Sequence, residues 1–257
     1  MSLINLDLVY GLNYRLSFDL TVPFAVGSAA VAIESPNQIH TFRAGGLGDM
    51  AFQAEYWLSD PAVPSRVQGS VGLGFQAPTG SDRVEGTVGS ERGPLDESAQ
   101  LGTGGWNLLL NAQGTAQIAG PWFAYGSGFY GLSLGEHSDV VNFDALRGIP
   151  DTYSGRLGAA YLVPLLEGLV VSFGGRINGV AVKDLIGGGD LYWRRPGYEI
   201  YYEPGLTWTR GPNTASLSFP VRAYAHQLDS LLDVSLERKI GADFAPFLFL
   251  ASYARRF

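Results

Sequence analysis

Tyr14-Arg15-Leu16-Ser17-Phe18-Asp19-Leu20-Thr21-Val22-Pro23-Phe24 decides the fold. Tyr14, Leu16, Phe18, Leu20, Val22 and Phe24 fall on one side of a strand, and Arg15, Ser17, Asp19 and Thr21 on the other. Successive side chains of a strand point to opposite faces, so this segment has one apolar and one polar face. The same alternation recurs along the chain. Ile4, Leu6, Leu8 and Tyr10 oppose Asn5 and Asp7. Phe52, Ala54 and Tyr56 oppose Gln53 and Glu55, and Val67, Val71, Leu73 and Phe75 oppose Gln68, Ser70 and Gln76. Trp106, Leu108, Leu110 and Ala112 oppose Asn107, Asn111, Gln113 and Thr115. Further runs near 156–163, 169–178, 198–209, 216–223 and 247–257 repeat it, whereas 122–133 is aromatic on both faces.

One alternating strand fits any half-buried sheet; many at similar spacing indicate a sandwich or a barrel. The connections choose between them. Short links near 11–13, 60–64, 119–121, 165–168 and 210–213 carry Gly, Pro, Asn or Asp and read as turns. They alternate with longer polar links near 25–45, 78–104, 134–153, 180–197 and 226–243. Short turns at one end and long loops at the other describe an outer-membrane barrel. The runs approach the roughly 9–11 residues that a tilted membrane strand needs. Tyr and Trp near run ends are suited to interfacial girdles.

Composition agrees. Hydrophobic residues make up 46% of the 257 residues and charged residues 16%, against roughly 25% charged in an average soluble protein. No stretch approaches the roughly 20 consecutive apolar residues of a membrane helix. The 35 glycines are interleaved with aromatic and aliphatic residues, which argues against disorder and suits strands where rings cover neighbouring backbone. The absence of cysteine excludes disulfides and thiol chemistry, and the net charge of -7 argues against nucleic acid as a partner. No basic start followed by an apolar core is visible at Met1, so a mature sequence with its leader removed is expected.

The expectation is therefore an all-β fold: one transmembrane, antiparallel up-and-down β-barrel over residues 1–257, closed, of about twelve strands, in the bacterial outer membrane. Eleven spans are clear, whereas single-chain bacterial barrels normally have an even number. A strand before Met1, or a hidden one at 231–240, would supply the twelfth; a short helix fits 231–240 equally well.

Gly46-Leu47-Gly48-Asp49 opens a strand, Pro78-Thr79-Gly80-Ser81 closes the next, and Leu101-Gly102-Thr103-Gly104-Gly105-Trp106-Asn107 begins another. Upstream, Tyr10-Gly11-Leu12-Asn13-Tyr14-Arg15-Leu16 crosses a turn toward Val22-Pro23-Phe24. This order resembles the outer-membrane proteins grouped as putative transporters of the phenol-degradation meta pathway. The closing strand resembles the C-terminal assembly signal of outer-membrane barrels, with Tyr253 and Phe257 as its aromatic residues. The resemblance implies a channel for small, often aromatic or hydrophobic, compounds.

On a membrane barrel the polar face points inward. That makes Arg15, Asp19, Asp49, Glu55, Arg66, Arg156, Arg176, Glu199, Glu203, Arg222 and Arg256 lumen candidates, where they either bias permeating solutes or pair with one another to fill the barrel. Tyr201 and Tyr224 are candidates for an aromatic lining, joined by Trp122 and Tyr130 if 122–133 is oriented that way. No catalytic residue or cofactor is expected. His226 lies near Asp229 and Ser230, but no motif places a base on a nucleophile. The acidic stretch 81–97 lacks the ligand order of a calcium loop, and Gly187-Gly188-Gly189-Asp190 lacks the Lys-Ser/Thr of a phosphate loop. The expected partners are membrane lipid and lipopolysaccharide, the barrel-assembly machinery, a small-molecule solute, and envelope proteins docked by the long loops.

Overall fold

The computed structural model describes residues 2–32, 39–63, 65–88, 91–94, 100–142, 145–187, 189–239 and 245–257. In chain order the strands are β1 (Ser2–Gly11), β2 (Leu16–Ala32), β3 (Ile39–Leu47), β4 (Ala51–Trp57), β5 (Val67–Gln76), β6 (Glu85–Val88), β7 (Glu91–Pro94), β8 (Asn107–Ala119), β9 (Trp122–Ser133), β10 (His137–Asn142) and β11 (Ala145–Gly148). They continue as β12 (Thr152–Leu162), β13 (Leu169–Val180), β14 (Gly197–Arg210), β15 (Asn213–Ser218), β16 (Val221–Gln227) and β17 (Leu250–Arg255).

One large antiparallel sheet runs β1-β2-β4-β5-β8-β9-β12-β13-β14-β15-β17 and curls into a half-barrel. β3 pairs with the outer half of β2, and β16 continues β15 along β14. The sheet is up-and-down: each neighbour along the path is reached by a short turn or by a long excursion, alternately. Gly120, Gly168 and Gly211 occupy positive φ in three of the short turns, a conformation that glycine adopts without a Cβ clash.

The pairing is staggered. Gly11, beside the first short turn, pairs with Ser17, and the row passes through Glu55, Gly72, Asn111, Phe129, Ser154, Asn178 and Glu199 to Ala225. Ala225 lies at the opposite, long-loop end of its strand. The strands therefore tilt across the sheet, as a barrel wall requires.

Among the described residues β1 and β17 do not pair, so hydrogen bonds do not complete the expected circle. Every pairing along the path is antiparallel, and eleven alternating strands leave β1 and β17 running the same way. Residues 231–239 do not supply a twelfth strand, and Ile240 lies outside the described residues. Leu231–Ser235 is a short helix α1, capped by the Ser230 side chain, which accepts from the Asp233 N–H.

The long links are more structured than their polarity suggests. The link over 25–45 is largely an extension of β2 paired with β3. The link over 78–104 holds the β6/β7 hairpin, and 134–153 holds β10/β11.

The two faces are inverted relative to a soluble sheet. Leu157 is 72% exposed and Phe173 59%, on the apolar face, whereas Glu203 is 2% exposed and Tyr201 is fully buried on the polar one. Glycines on the polar face allow its long side chains to lie flat. In β5 the inward positions are Ser70, Gly72 and Gly74, and the Asn111 amide crosses Gly72 to donate to Gln53 on β4. A Cβ on Gly72 would collide with that amide. The Tyr125 ring crosses β12 in the same way: a Cβ on Gly158 or Gly174 would sit 2.5 or 2.6 Å from its hydroxyl. Gly174→Ala should therefore destabilise by about 1–3 kcal/mol, the usual cost of overpacking. Gly128→Ala, with open space around its Cβ, should be close to neutral. Urea unfolding followed by Trp fluorescence in micelles checks the contrast, and equal effects would contradict this packing.

Candidate functional site

The polar face of the curled sheet carries the candidate site, in two clusters of side chains that reach across strands. In the first, Glu55 on β4 accepts from Ser70 Oγ at 2.5 Å and from Gln113 Nε2 at 2.6 Å. Gln53 and Asn111 pair beside it. Asp19 on β2 shares this face, and its Oδ1 is withdrawn from solvent with no hydrogen-bond donor. Asp19, Gln53, Glu55, Asn111 and Gln113, with Phe129, line a cavity of about 230 Å³ that Ser127 and Ser154 also border.

The second cluster is a carboxylate clamped by two guanidinium forks. Glu203 on β14 accepts from Arg156 Nη2 at 2.6 Å and Nε at 3.1 Å, and from Arg176 Nε at 2.7 Å and Nη2 at 3.2 Å. Bidentate, charge-assisted bonds of this kind are the strong ones. Arg156 also lies over the Tyr125 ring, 5.7 Å from its centroid.

Of the sequence candidates, Asp19, Glu55, Arg156, Arg176, Glu199, Tyr201, Glu203 and Arg222 share the polar face by register. Tyr201 donates to the Ala245 carbonyl at 3.3 Å. Tyr224 does not join them. The pairing skips Ala223, so Arg222 faces Tyr201 while Tyr224 pairs with Ile200. This bulge turns Tyr224 to the apolar face, where it packs near Tyr198 and His226. Trp122 and Tyr130 are also on the apolar face, partnered by Tyr161 and by Leu110. The aromatics of β9 that face inward are Phe123, Tyr125 and Phe129, opposite Gln117, Thr115 and Asn111. Because β9 is aromatic at both parities, its sequence alone could not orient it.

Arg15 and Arg66 precede β2 and β5 at the short-turn end and are exposed. Arg256 follows β17 there, its N–H donating to the Pro212 carbonyl at 2.9 Å. Asp49 is 6% exposed and belongs to a staple of the long loops. It accepts from Gly80 N at 2.9 Å, Thr103 N at 2.7 Å and Thr103 Oγ1 at 2.8 Å. The backbones meet so closely that a Cβ on Gly80 would lie 2.7 Å from the Leu101 carbonyl oxygen. These are the Gly-Asp, Pro-Thr-Gly and Gly-Thr-Gly elements of the sequence, here in one knot.

A second staple had no sequence signal. Asp184 pairs with Arg194 through two bonds of 2.8 Å, both side chains fully or nearly buried. Asp151 accepts from Ser133 N, Leu185 N and the Tyr130 hydroxyl. Both staples sit at the long-loop end.

His226 lies beside aromatic rings, and Ser230 bonds to Asp233 at 2.6 Å. The structure therefore engages both side chains elsewhere and forms no His226–Ser230 pair. In the acidic stretch 81–97, the Asp82 carboxylate lies 3.7 Å from Arg147. The side chains of 87–99 lie outside the described residues, as does Gly188. Among the described residues no group of three or more His, Asp or Glu is gathered as metal ligands.

The chain matches no family model and no curated protein.

Removing one partner from a buried ion pair costs roughly 3–5 kcal/mol. Arg156 is 37% exposed on its side chain, so solvent screens part of this. Glu203→Gln should destabilise by about 3 kcal/mol, read as an earlier urea unfolding midpoint in micelles. An unchanged midpoint would remove the clamp as a stabilising element.

Proposed function

We propose that this chain is an outer-membrane channel or uptake barrel for small solutes. The observation that carries the reading is the inversion of its faces, with the exposed apolar face ordered by height. Tyr10, Tyr56, Trp122, Tyr161 and Trp208 lie at its short-turn end. Trp106, Tyr130, Tyr153, Tyr198 and Tyr224 lie toward the long-loop end. Leu8, Leu20, Leu73, Leu110, Leu157 and Leu206 occupy the space between. Girdles of Tyr and Trp around an apolar band of Leu and Phe are what a lipid bilayer selects on a barrel exterior. Water would leave that band unsatisfied, and the polar face would then enclose the solute path. Among the described residues no helix is long and apolar enough to cross a membrane, so strands would do the crossing. The resemblance to the phenol-degradation transporters agrees with this reading.

The stapled loop layer favours a second reading. Asp49, Asp151 and Arg194 bury polar groups to fix the long loops. A barrel that docks envelope partners would need such a rigid end.

Single-channel recording in a planar bilayer, with insertion verified independently, separates the two. A steady ohmic conductance is expected of the channel; verified insertion without conductance would favour the docking barrel. Orientation is tested separately. Leu110→Arg should impair assembly, because a lipid-facing Arg costs about 2–4 kcal/mol near mid-membrane. Gln113→Arg, on the polar face, should assemble and shift ion selectivity. Equal assembly of both variants would contradict the membrane orientation.

A further inference from the structure

The cavity on β2, β4, β8, β9 and β12 presents a carboxylate oxygen that the fold leaves unused. Two carboxylates, Asp19 and Glu55, line it, and no lysine or arginine does. Arg156 and Arg176, on β12 and β13, are held by Glu203. Asn111 and Gln113 turn amide N–H groups to Gln53 and Glu55. Asp19 Oδ1 is buried with no donor. Asp7 on β1, which accepts from Thr21 at 2.7 Å, adds negative charge beside this wall. Phe129 contributes a ring to the lining.

We propose that this cavity is a subsite for small organic cations that carry N–H donors, primary ammonium or guanidinium groups. It rests on the reading of the polar face as a solute path. A cation entering a narrow space loses hydration, and two carboxylates with neighbouring amide oxygens replace it. The Phe129 ring, part of the same lining, adds an aromatic surface beside that charge. A neutral aromatic solute would fit the ring and leave the buried Asp19 oxygen without a donor, which is costly. The lining chemistry thus selects a narrower solute class than a general pore would admit.

The test is calorimetric titration of the full, folded chain in micelles at low ionic strength, with 1,4-diaminobutane and with 1,4-butanediol. These probes share a carbon chain and differ in charge. The wild type should bind the diamine and not the diol, with affinity falling as salt is added. Asp19→Asn should bind the diamine at least roughly tenfold more weakly, since a hydrogen bond between charged groups is lost. Ser127→Lys, which places a cation in the same lining, should abolish binding and serves should Asp19→Asn fail to fold. Equal heats for diamine and diol, no diamine heat, or wild-type affinity in a folded Asp19→Asn or Ser127→Lys would each overturn the subsite. The titration does not need an open pore. Binding without conductance sinks the channel reading alone, and conductance without binding sinks the subsite alone.

Discussion

Polar side chains on the concave face must find partners across one or more strands, because neighbouring strands occupy much of the space that water would fill. This requirement organises the sheet. Glu203 reaches two arginines on two other strands. Glu55 is reached by Gln113 from β8, across the width of β5. Such spans work only where the intervening strand is low, and the inward positions of β5 are Ser70, Gly72 and Gly74. The same logic places Gly158 and Gly174 under Tyr125. Glycine weakens a strand, yet Gly72, Gly158 and Gly174 each leave room for a side chain that crosses their strand. These inward glycines and the polar face are therefore one feature.

Stagger and parity follow from the backbone, and they pull in different directions. The row from Gly11 to Ala225 climbs the sheet, which is what curls it. The alternation of short turns with long excursions keeps every pairing antiparallel. With eleven strands the two edges run parallel, and among the described residues they do not pair. β1 is exposed along its whole length, and its outward Ile4, Leu6 and Leu8 match an apolar surrounding better than water.

The all-β class, the strand order and most face assignments were legible because period two is a local signal repeated many times. Short turns were legible through Gly, Pro and Asn. Failures came where a local pattern was degenerate or overridden. β9 is aromatic on both faces, so only its hydrogen-bonded neighbours orient it. Tyr224 shares its parity with Arg222, and a one-residue bulge separates them. The polar link over 25–45 read as a loop, yet two segments of it pair as a hairpin. Asp49 sits at the head of an alternating run, and its carboxylate bonds to loops distant in sequence. Asp184 and Arg194 carry no pattern at all, because a loop staple depends on tertiary proximity rather than on period.

The polar groups divide into those the fold uses and those it leaves available. At the long-loop end, Asp49, Asp151 and Asp184 each accept several bonds from backbone or arginine, so their charge is committed to holding loops. On β12 to β14, two guanidinium groups converge on one carboxylate, and that cluster is committed to holding strands. Asp19 differs. It lies on the same face, beside a cavity, and no donor reaches its Oδ1. An unpartnered carboxylate oxygen out of solvent is costly, and among the described residues Asp19 holds the only carboxylate oxygen in that position. The exception falls where side chains from β2, β4, β8, β9 and β12 leave room for a guest, so the site's selectivity follows from which charges the fold did not need.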